Sequence, residues 1–296
     1  MSQIVLELKG ISKTFPGVKA LNEMQLQVYA GEVHALMGEN GAGKSTLMNI
    51  INGSYQKDSG EIYMDGRLVE IRSINDAAAL GISMIHQELN YVPALTVADN
   101  IFLGRELVSG KWLQKQKMLE QAQKLLDEME IHLDPASKMC DLSVSQQQMV
   151  EIIRAVSNNA RVLIMDEPTS SLTAKEIDDL FRIIRKLRDE GRGIVYISHR
   201  LEELSHIVDR VTIMRDGQYI TDGNFKDMDM DYIIKNALTP LNLPNKIRRR
   251  PLLLFRKTIF FLAKLDGLHK KCHILCKHPH RLLAFLIHLC LPFLTA

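Results

Sequence analysis

The chain has 296 residues, of which 46% are hydrophobic and 24% charged, and this composition argues against a disordered, collagen-like or disulfide-stapled protein. The formal net charge of +2 hides a division: residues 1–245 hold 26 basic and 34 acidic side chains, whereas residues 246–296 hold 11 basic side chains and one acidic one. Three of the four cysteines also lie in residues 246–296, so we expect a reducing compartment and no disulfide framework in the larger part. The longest nearly apolar run, residues 282–296, is shorter than the roughly 20 residues of a membrane-spanning helix, which excludes a membrane-spanning transporter.

Short apolar runs alternate with helical patterns along residues 1–236, which predicts an α/β fold with a mainly parallel sheet. Near the N-terminus, residues 4–8 and 25–28 are predicted strands of a separate antiparallel β layer. In the core, we predict a strand at 33–37, a helix at 44–52, a strand at 161–165, a helix at 174–190 and a strand at 193–198. Residues 88–160 are mostly helical in pattern, most clearly at 118–129, and predict a helical subdomain inserted into this core.

A glycine-rich segment, GENGAGKST, lies between the first predicted core strand and the helix that follows it, and it fits the pattern G-x-x-x-x-G-K-[ST] without a gap. The glycines allow backbone N–H groups to face phosphate oxygens, and the helix N-terminus adds its positive dipole end. We expect Lys44 to reach the β- and γ-phosphates of ATP and the Ser45 hydroxyl to bind Mg²⁺. The segment predicts a P-loop NTPase core with these nucleotide-binding residues: Gly38, Glu39, Asn40, Gly41, Ala42, Gly43, Lys44, Ser45 and Thr46.

Two carboxylates, Asp166 and Glu167, directly follow the predicted strand at 161–165. A carboxylate at the end of a buried parallel strand lies where open α/β sheets bind their ligands. We expect Asp166 to hold Mg²⁺ through water, and Glu167 to orient and polarise the attacking water. Alone, such a pair commonly does no more than cap a strand, but together with the glycine-rich segment it predicts nucleotide hydrolysis.

With further motifs in the same order, residues 1 to about 236 resemble the ATP-binding cassette (ABC) ATPases. The resemblance implies that Gln87, in MIHQEL, contacts Mg²⁺ and senses a transmembrane partner, and that His199, in YISHRLEEL, contacts the γ-phosphate. It also implies that Phe15, in SKTFPGVKAL, stacks on adenine, although an aromatic that packs in the following Pro-Gly turn remains an alternative. Residues 170–173 match the D-loop of the family.

The segment LSVSQ matches the signature loop, which in this family is donated in trans to the nucleotide of a partner cassette. Its residues are Leu142, Ser143, Val144, Ser145 and Gln146. Ser145 stands where the expected pattern, LSVGQ, has glycine. Its added Cβ and hydroxyl are expected to crowd the partner's γ-phosphate, so we predict weakened capping in trans and unchanged binding at the chain's own glycine-rich segment.

The segments KTFPGVKAL, GENGAGKST, IHQEL, DEPTSSLT and SHRLEEL together resemble the monosaccharide-import branch of the family, of the ribose, galactose, arabinose and xylose type. In that branch one polypeptide usually carries two cassettes, of which this sequence has the first. The resemblance implies an ATP-hydrolysing subunit that energises sugar import, peripheral on the cytoplasmic face of the bacterial inner membrane. Its implied partners are transmembrane permease subunits, a second cassette and, indirectly, a periplasmic sugar-binding protein, with no nucleic acid.

Two other functions remain open at this stage. One is a truncated, non-functional remnant of a two-cassette ATPase that binds ATP without driving transport. The other is an ABC protein that acts on ribosomes or DNA, but such proteins usually carry two cassettes joined by a charged linker or a long coiled coil, and neither pattern occurs here.

Residues 237–296 are predicted to form a separate tail, irregular or helical, that is basic and rich in Leu, His and Cys. From residue 246 onwards the tail lacks Glu, Gln, Asn, Ser, Val, Met, Tyr and Trp altogether. This abrupt change favours an out-of-frame translation product over an amphipathic membrane-surface segment. A metal site is least favoured because zinc ligands need a distant second pair; its candidate ligands are His269, Cys272, His273, Cys276, His278 and His280.

Overall fold

The computed structural model describes residues 3–158, 160–170, 172–198, 200–229 and 232–233. Its strands are β1 (Ile4–Phe15), β2 (Val18–Tyr29), β3 (Val33–Met37), β4 (Ser59–Met64), β5 (Arg67–Val69), β6 (Ile82–Ile85), β7 (Val108–Ser109), β8 (Trp112–Leu113), β9 (Val162–Asp166), β10 (Gly193–Ile197), β11 (Arg210–Arg215) and β12 (Gln218–Asn224). Its α-helices are α1 (Lys44–Ile51), α2 (Ile74–Ala79), α3 (Val97–Ile101), α4 (Lys115–Glu128), α5 (Val144–Val156), α6 (Ala174–Asp189) and α7 (Leu201–Ile207). Short 3₁₀ turns lie at Met139–Asp141 and Phe225–Asp227.

The main sheet of the described residues has the strand order β12-β11-β3-β10-β9-β6. Every pair from β11 to β6 is parallel, and β12 alone runs antiparallel to its neighbour. The residues of β3 and β10 and the first four of β9 are buried, as expected for strands covered on both faces. β3 lies at the predicted residues, β9 begins and ends one residue later than predicted and β10 ends one residue earlier, so the α/β class with a mainly parallel sheet is confirmed.

The predicted antiparallel layer is also present, as a sheet of order β2-β1-β4-β5. Its first two strands have 12 residues each, longer than the predicted segments 4–8 and 25–28. The predicted first strand ends at residue 8 because the chain beyond it becomes polar. In the structure β1 continues past this point, with register shifts against β2 that interrupt the alternation of buried and exposed side chains. Leu6, Leu8 and Leu26 of this layer are fully buried in one cluster with Leu36 and Ile164 of the main sheet.

Residues 88–160 contain α3, α4 and α5, so the helical character of this block is confirmed. A small hairpin of β7 and β8 interrupts it, and Gly110, with φ of 61°, occupies the two-residue turn. Trp112 on this hairpin is exposed. The boundaries of a separate helical subdomain stay a prediction.

None of the helices among the described residues is long and apolar enough to span a bilayer. Ser171 of the D-loop, His199 and the predicted tail at 237–296 lie outside the described residues, and so do the division at residue 236 and the candidate metal ligands of the tail.

Candidate functional site

The motifs found in the sequence lie at the ends of strands that meet at the same edge of the main sheet. The phosphate loop, which we define as residues 38–46, follows β3; Asp166 ends β9; and Gln87 comes two residues after β6. His199 follows β10, but its own position lies outside the described residues. Since β3, β10, β9 and β6 are consecutive parallel neighbours, their carboxyl ends lie side by side. This is the edge at which open α/β sheets bind ligands.

The phosphate loop is tightly packed where it meets its neighbours. A Cβ at Gly38 would lie 2.4 Å from the Met214 carbonyl oxygen, and one at Gly43 would lie 2.5 Å from the Ala20 carbonyl oxygen. Gly43 also has a φ of 98° and caps α1 without a side-chain hydrogen bond. The first backbone hydrogen bond of α1 runs from the Leu47 N–H to the Gly43 carbonyl oxygen, so the N–H groups of residues 44–46 have no intrahelical acceptor, an arrangement that suits an anionic ligand.

Lys44 reaches back across the phosphate loop. Its Nζ donates to the carbonyl oxygens of Gly38, at 2.7 Å, and Glu39, at 3.0 Å. Burial lowers the pKa of the Lys44 ammonium, and the charges of Glu167 and Asp166 act in the opposite direction. The ammonium therefore binds carbonyl oxygens of the phosphate loop and also interacts electrostatically with both carboxylates.

The two carboxylates differ in their surroundings. Burial raises the pKa of Asp166, the Glu167 charge raises it further, and Lys44 opposes both effects. Glu167 has a left-handed φ of 48°, which is uncommon for a residue with a side chain, and its N–H donates to the Ile197 carbonyl oxygen at 3.0 Å. Gln87 Nε2 donates to Glu167 Oε2 at 3.3 Å. The structure thus brings Gln87, Lys44 and both carboxylates together at this sheet edge.

The residues at this edge fit both ATP phosphates and Mg²⁺. The phosphate loop offers backbone N–H donors and one ammonium, which match phosphate oxygens. The predicted metal ligands, Ser45, Gln87 and Asp166, offer hydroxyl, amide and carboxylate oxygens, which is the donor chemistry that Mg²⁺ prefers. Ser45 is exposed in the first turn of α1 and Asp166 is half-buried, so both are accessible from the nucleotide side.

Phe15 ends β1 and is partly exposed. Its ring meets the Tyr55 ring edge to face, with centroids 5.5 Å apart, and Lys13 Nζ lies 5.6 Å from its centroid. Tyr55 therefore belongs to the candidate base-binding surface, although sequence reasoning did not identify it. Its position in the loop after α1 carries no motif that could have indicated this role.

The signature loop begins α5. Ser143 is the N-cap: its hydroxyl accepts from the Gln146 N–H, and the Gln146 side chain accepts from the Ser143 N–H. Ser145 Oγ lies 3.0 Å from Ser143 Oγ, so the hydroxyl that replaces the expected glycine hydrogen lies at the N-cap of α5. The Ser145 side chain is also the main influence that lowers the pKa of Glu176, in the first turn of α6. Donation of the loop in trans stays a prediction.

Comparison with known proteins places the chain in a family. A family model described as ABC transporter matches residues 21–170. The galactose/methyl galactoside import ATP-binding protein MglA of Salmonella typhimurium is 51% identical over 232 residues, which are 78% of this chain and 46% of that protein. MglA of Clostridium perfringens is 51% identical over 234 residues, 79% of this chain and 45% of that protein. The chain thus spans less than half the length of these curated relatives.

Solved structures give the same result. A nucleotide-free ATP-binding cassette from an ABC transporter has a TM-score of 0.69 and 29% identity, covering 80% of this chain and 96% of that chain. A dimeric ATP-binding cassette in a post-hydrolysis state, bound to ADP and Pi, has a TM-score of 0.64 and 26% identity, covering 75% of this chain and 100% of that chain. These structural matches agree with the family match, which covers half of the sequence, and the chain therefore belongs to the ABC transporter family.

Proposed function

We propose that the chain is an ATP-hydrolysing subunit that energises import of a monosaccharide through an ABC transporter. The observation that carries this proposal is the convergence of Lys44, Asp166, Glu167 and Gln87 at one edge of the main sheet. A lysine on a glycine-rich loop opposite a pair of carboxylates is the arrangement that phosphoryl transfer from a nucleoside triphosphate requires.

In the proposed mechanism, the phosphate loop binds the β- and γ-phosphates. The N–H groups at the start of α1 donate to phosphate oxygens, and Lys44 exchanges its bonds to the carbonyl oxygens of Gly38 and Glu39 for bonds to phosphate. When Mg²⁺ is bound, it neutralises part of the triphosphate charge, and Ser45, Gln87 and Asp166 would hold it. Phe15 and Tyr55 would contact the adenine.

Glu167 would act on the attacking water. Its carboxylate accepts a hydrogen bond from the water, orients the oxygen toward the γ-phosphorus and takes up a proton as the new P–O bond forms. The bond between the γ-phosphorus and the bridging oxygen then breaks, which leaves ADP and inorganic phosphate. The Gln87 amide fixes one oxygen of Glu167, and the Glu167–Ile197 backbone bond fixes its main chain. His199 would contact the γ-phosphate in the same step.

A second cassette would complete the site, since we propose that the signature loop, Leu142 to Gln146, reaches the nucleotide of a partner. The dimeric form of a related solved cassette supports pairing, but the identity of the partner cassette is part of the proposal. ATP closes two such cassettes because contacts to the phosphates from both sides exist in the closed state alone, and hydrolysis removes them.

We propose transmembrane permease subunits as further partners, contacting the chain near Gln87 and the helical block. The chain would then lie on the cytoplasmic face of the bacterial inner membrane, and a periplasmic sugar-binding protein would act on it indirectly. The chain is 51% identical to galactose/methyl galactoside import ATP-binding proteins over less than half of their length, and this similarity supports a sugar as the cargo. The proposal involves no nucleic acid.

The test is steady-state hydrolysis of MgATP by the purified full chain, with Lys44→Ala and Glu167→Gln as variants. We expect Lys44→Ala to lose ATP binding, because the Lys44 ammonium is the positive charge with which the phosphate loop binds the phosphates. Glu167→Gln should keep ATP affinity and lose turnover by about 10²-fold or more, the usual contribution of general base catalysis. Equal inactivity of the wild type and both variants would refute the proposed function.

A further inference from the structure

Glu203 is a buried carboxylate that the mechanism above does not use. It lies in the first turn of α7 and is only 6% exposed. Burying a carboxylate costs free energy unless several hydrogen-bond donors satisfy it. The partners of Glu203 therefore show which groups compensate for its burial.

Four side chains donate hydrogen bonds to Glu203. Its Oε2 accepts from Thr169 Oγ1 at 2.8 Å, Tyr196 OH at 3.1 Å and Ser198 Oγ at 3.1 Å, and its Oε1 accepts from Arg200 Nη1 at 3.0 Å. Burial and the Glu203 charge both raise the pKa of Tyr196, so its hydroxyl stays a donor. The carboxylate therefore accepts from four side chains, three of them at Oε2.

The donors come from the two segments that carry predicted catalytic residues. Thr169 is buried and lies two residues after Glu167, whereas Ser198 and Arg200 stand on either side of position 199. The Ser198 hydroxyl also accepts from the Arg200 N–H at 3.0 Å. A hydrogen bond therefore joins the two residues on either side of position 199. One carboxylate thus joins the loop after β9 to the segment after β10.

We infer that Glu203 is a positioning residue that holds the loop after β9 and the segment after β10 in the relative arrangement needed for hydrolysis. The inference rests on the proposed function. It complements the hydrogen bond from the Glu167 N–H to the carbonyl oxygen of Ile197, the last residue of β10. A catalytic group displaced by about 1 Å loses roughly 10²-fold in rate, so a fixed spacing of these loops matters for turnover. None of the four donors belongs to the phosphate loop, and ATP affinity should not depend on them.

The test compares Glu203→Gln with Glu202→Gln in the full chain. Glu202 is the exposed neighbour on the same helix and provides a matched control for loss of one carboxylate. Glutamine has the shape of glutamate, but its NH₂ group cannot accept, so donors to one oxygen lose their acceptor. We expect kcat for ATP to fall about tenfold or more in Glu203→Gln, with the Kd for ATP within about twofold of wild type. Amide hydrogen exchange at residues 167, 169 and 170 and at 196–198 should accelerate by a similar factor.

Thr169→Val removes only the donor from the loop after β9 and should give a smaller loss of kcat in the same direction. It keeps the test decisive if Glu203→Gln does not fold. Unchanged exchange at both segments would overturn the inference, and so would faster exchange with an unchanged kcat, a parallel loss of ATP affinity, or an equal effect of Glu202→Gln. A wild-type chain that hydrolyses no ATP refutes the proposed function instead, and the exchange measurement then decides the inference alone.

Discussion

His34 makes the stability of β3, the strand that leads into the phosphate loop, dependent on pH. The ring is buried, its Nε2 shares a 2.7 Å hydrogen bond with Thr212 Oγ1, and its Nδ1 has no hydrogen-bond partner among the described residues. Burial lowers the pKa of His34 to about 4, and the Arg210 charge acts in the same direction. The folded state therefore keeps the ring neutral over a pH range in which the unfolded chain protonates it.

The sign and size of the effect follow from this difference. A His with a lowered pKa in the folded state loses stability as pH falls below its unfolded value of 6.5, and the loss is complete below about 4. At ~1.4 kcal/mol per pH unit, the whole range corresponds to roughly 3 kcal/mol of unfolding free energy, of which about 2 kcal/mol is lost between pH 7 and pH 5. The ring is only 1% exposed, so solvent screening does not reduce this figure.

The assay is urea unfolding followed by far-ultraviolet circular dichroism at pH 7 and pH 5, on the wild type and His34→Gln. Glutamine is neutral at both pH values, so the difference between the two proteins isolates the His34 contribution. This control is needed because burial raises the pKa of Glu151 to about 7, which acts in the opposite direction. We expect the wild type to lose about 2 kcal/mol relative to the variant between pH 7 and pH 5. A difference in unfolding free energy between the two proteins that is the same at pH 7 and at pH 5 would refute the reasoning.

Three further predictions concern the nucleotide site. Ser145→Gly removes the side chain that we predict to crowd the partner's γ-phosphate, and it should raise ATP hydrolysis several-fold without changing the Kd for ATP; no gain in steady-state rate would contradict this. Phe15→Ala should raise the KM for ATP about tenfold with kcat unchanged, since aromatic contacts contribute ~0.5–1.5 kcal/mol beyond buried area. Gly43→Ala should destabilise the fold by about 2 kcal/mol or more and abolish ATP binding, because its Cβ would meet the Ala20 carbonyl oxygen. Gly41→Ala, whose Cβ meets nothing within 4 Å, should cost only the backbone strain of about 1 kcal/mol in thermal unfolding.

The parts of the fold that were predictable are those that local sequence determines. β3, β9 and β10 are short apolar runs buried on both faces, and the glycine-rich segment has a spacing that few other structures need. The strands β4, β5 and β12 are only partly buried, so their sequences carry no continuous apolar run. Of these, β4 pairs with the distant β1, whereas β5 and β12 pair with the strands directly before them, β4 and β11. Even so, β9 was placed one residue early, because Asp166 continues the strand as a polar residue.

The contacts within the site were less predictable because they join residues far apart in the chain. Phe15, at the end of β1, contacts Tyr55 in the loop after α1, and Glu203 accepts a hydrogen bond from Thr169, which lies 34 positions earlier in the chain. A buried glutamate in the pattern RLEEL looks like an ordinary helical surface residue until the donors around it are located. Sequence motifs predict which residues contact the nucleotide, whereas the residues that we propose to hold them in place can be identified only from three-dimensional contacts.

Helix α5 connects three of the segments on which the proposed mechanism depends. The signature loop begins it, Gln148 Nε2 donates to the Pro168 carbonyl oxygen beside Glu167, and Arg154 Nη1 donates at 3.1 Å to the carbonyl oxygen of Asn90, three residues after Gln87. A rigid helix transmits a displacement at one end to its whole length, so a movement of the signature loop toward a partner must either carry the other two segments with it or break these hydrogen bonds. The cost of breaking them, ~0.5–1.5 kcal/mol each, is small compared with the interactions that a bound triphosphate offers. Under the proposed function, closure of two cassettes would therefore either move the segments of Gln87 and Glu167 together with α5 or break these hydrogen bonds at low cost.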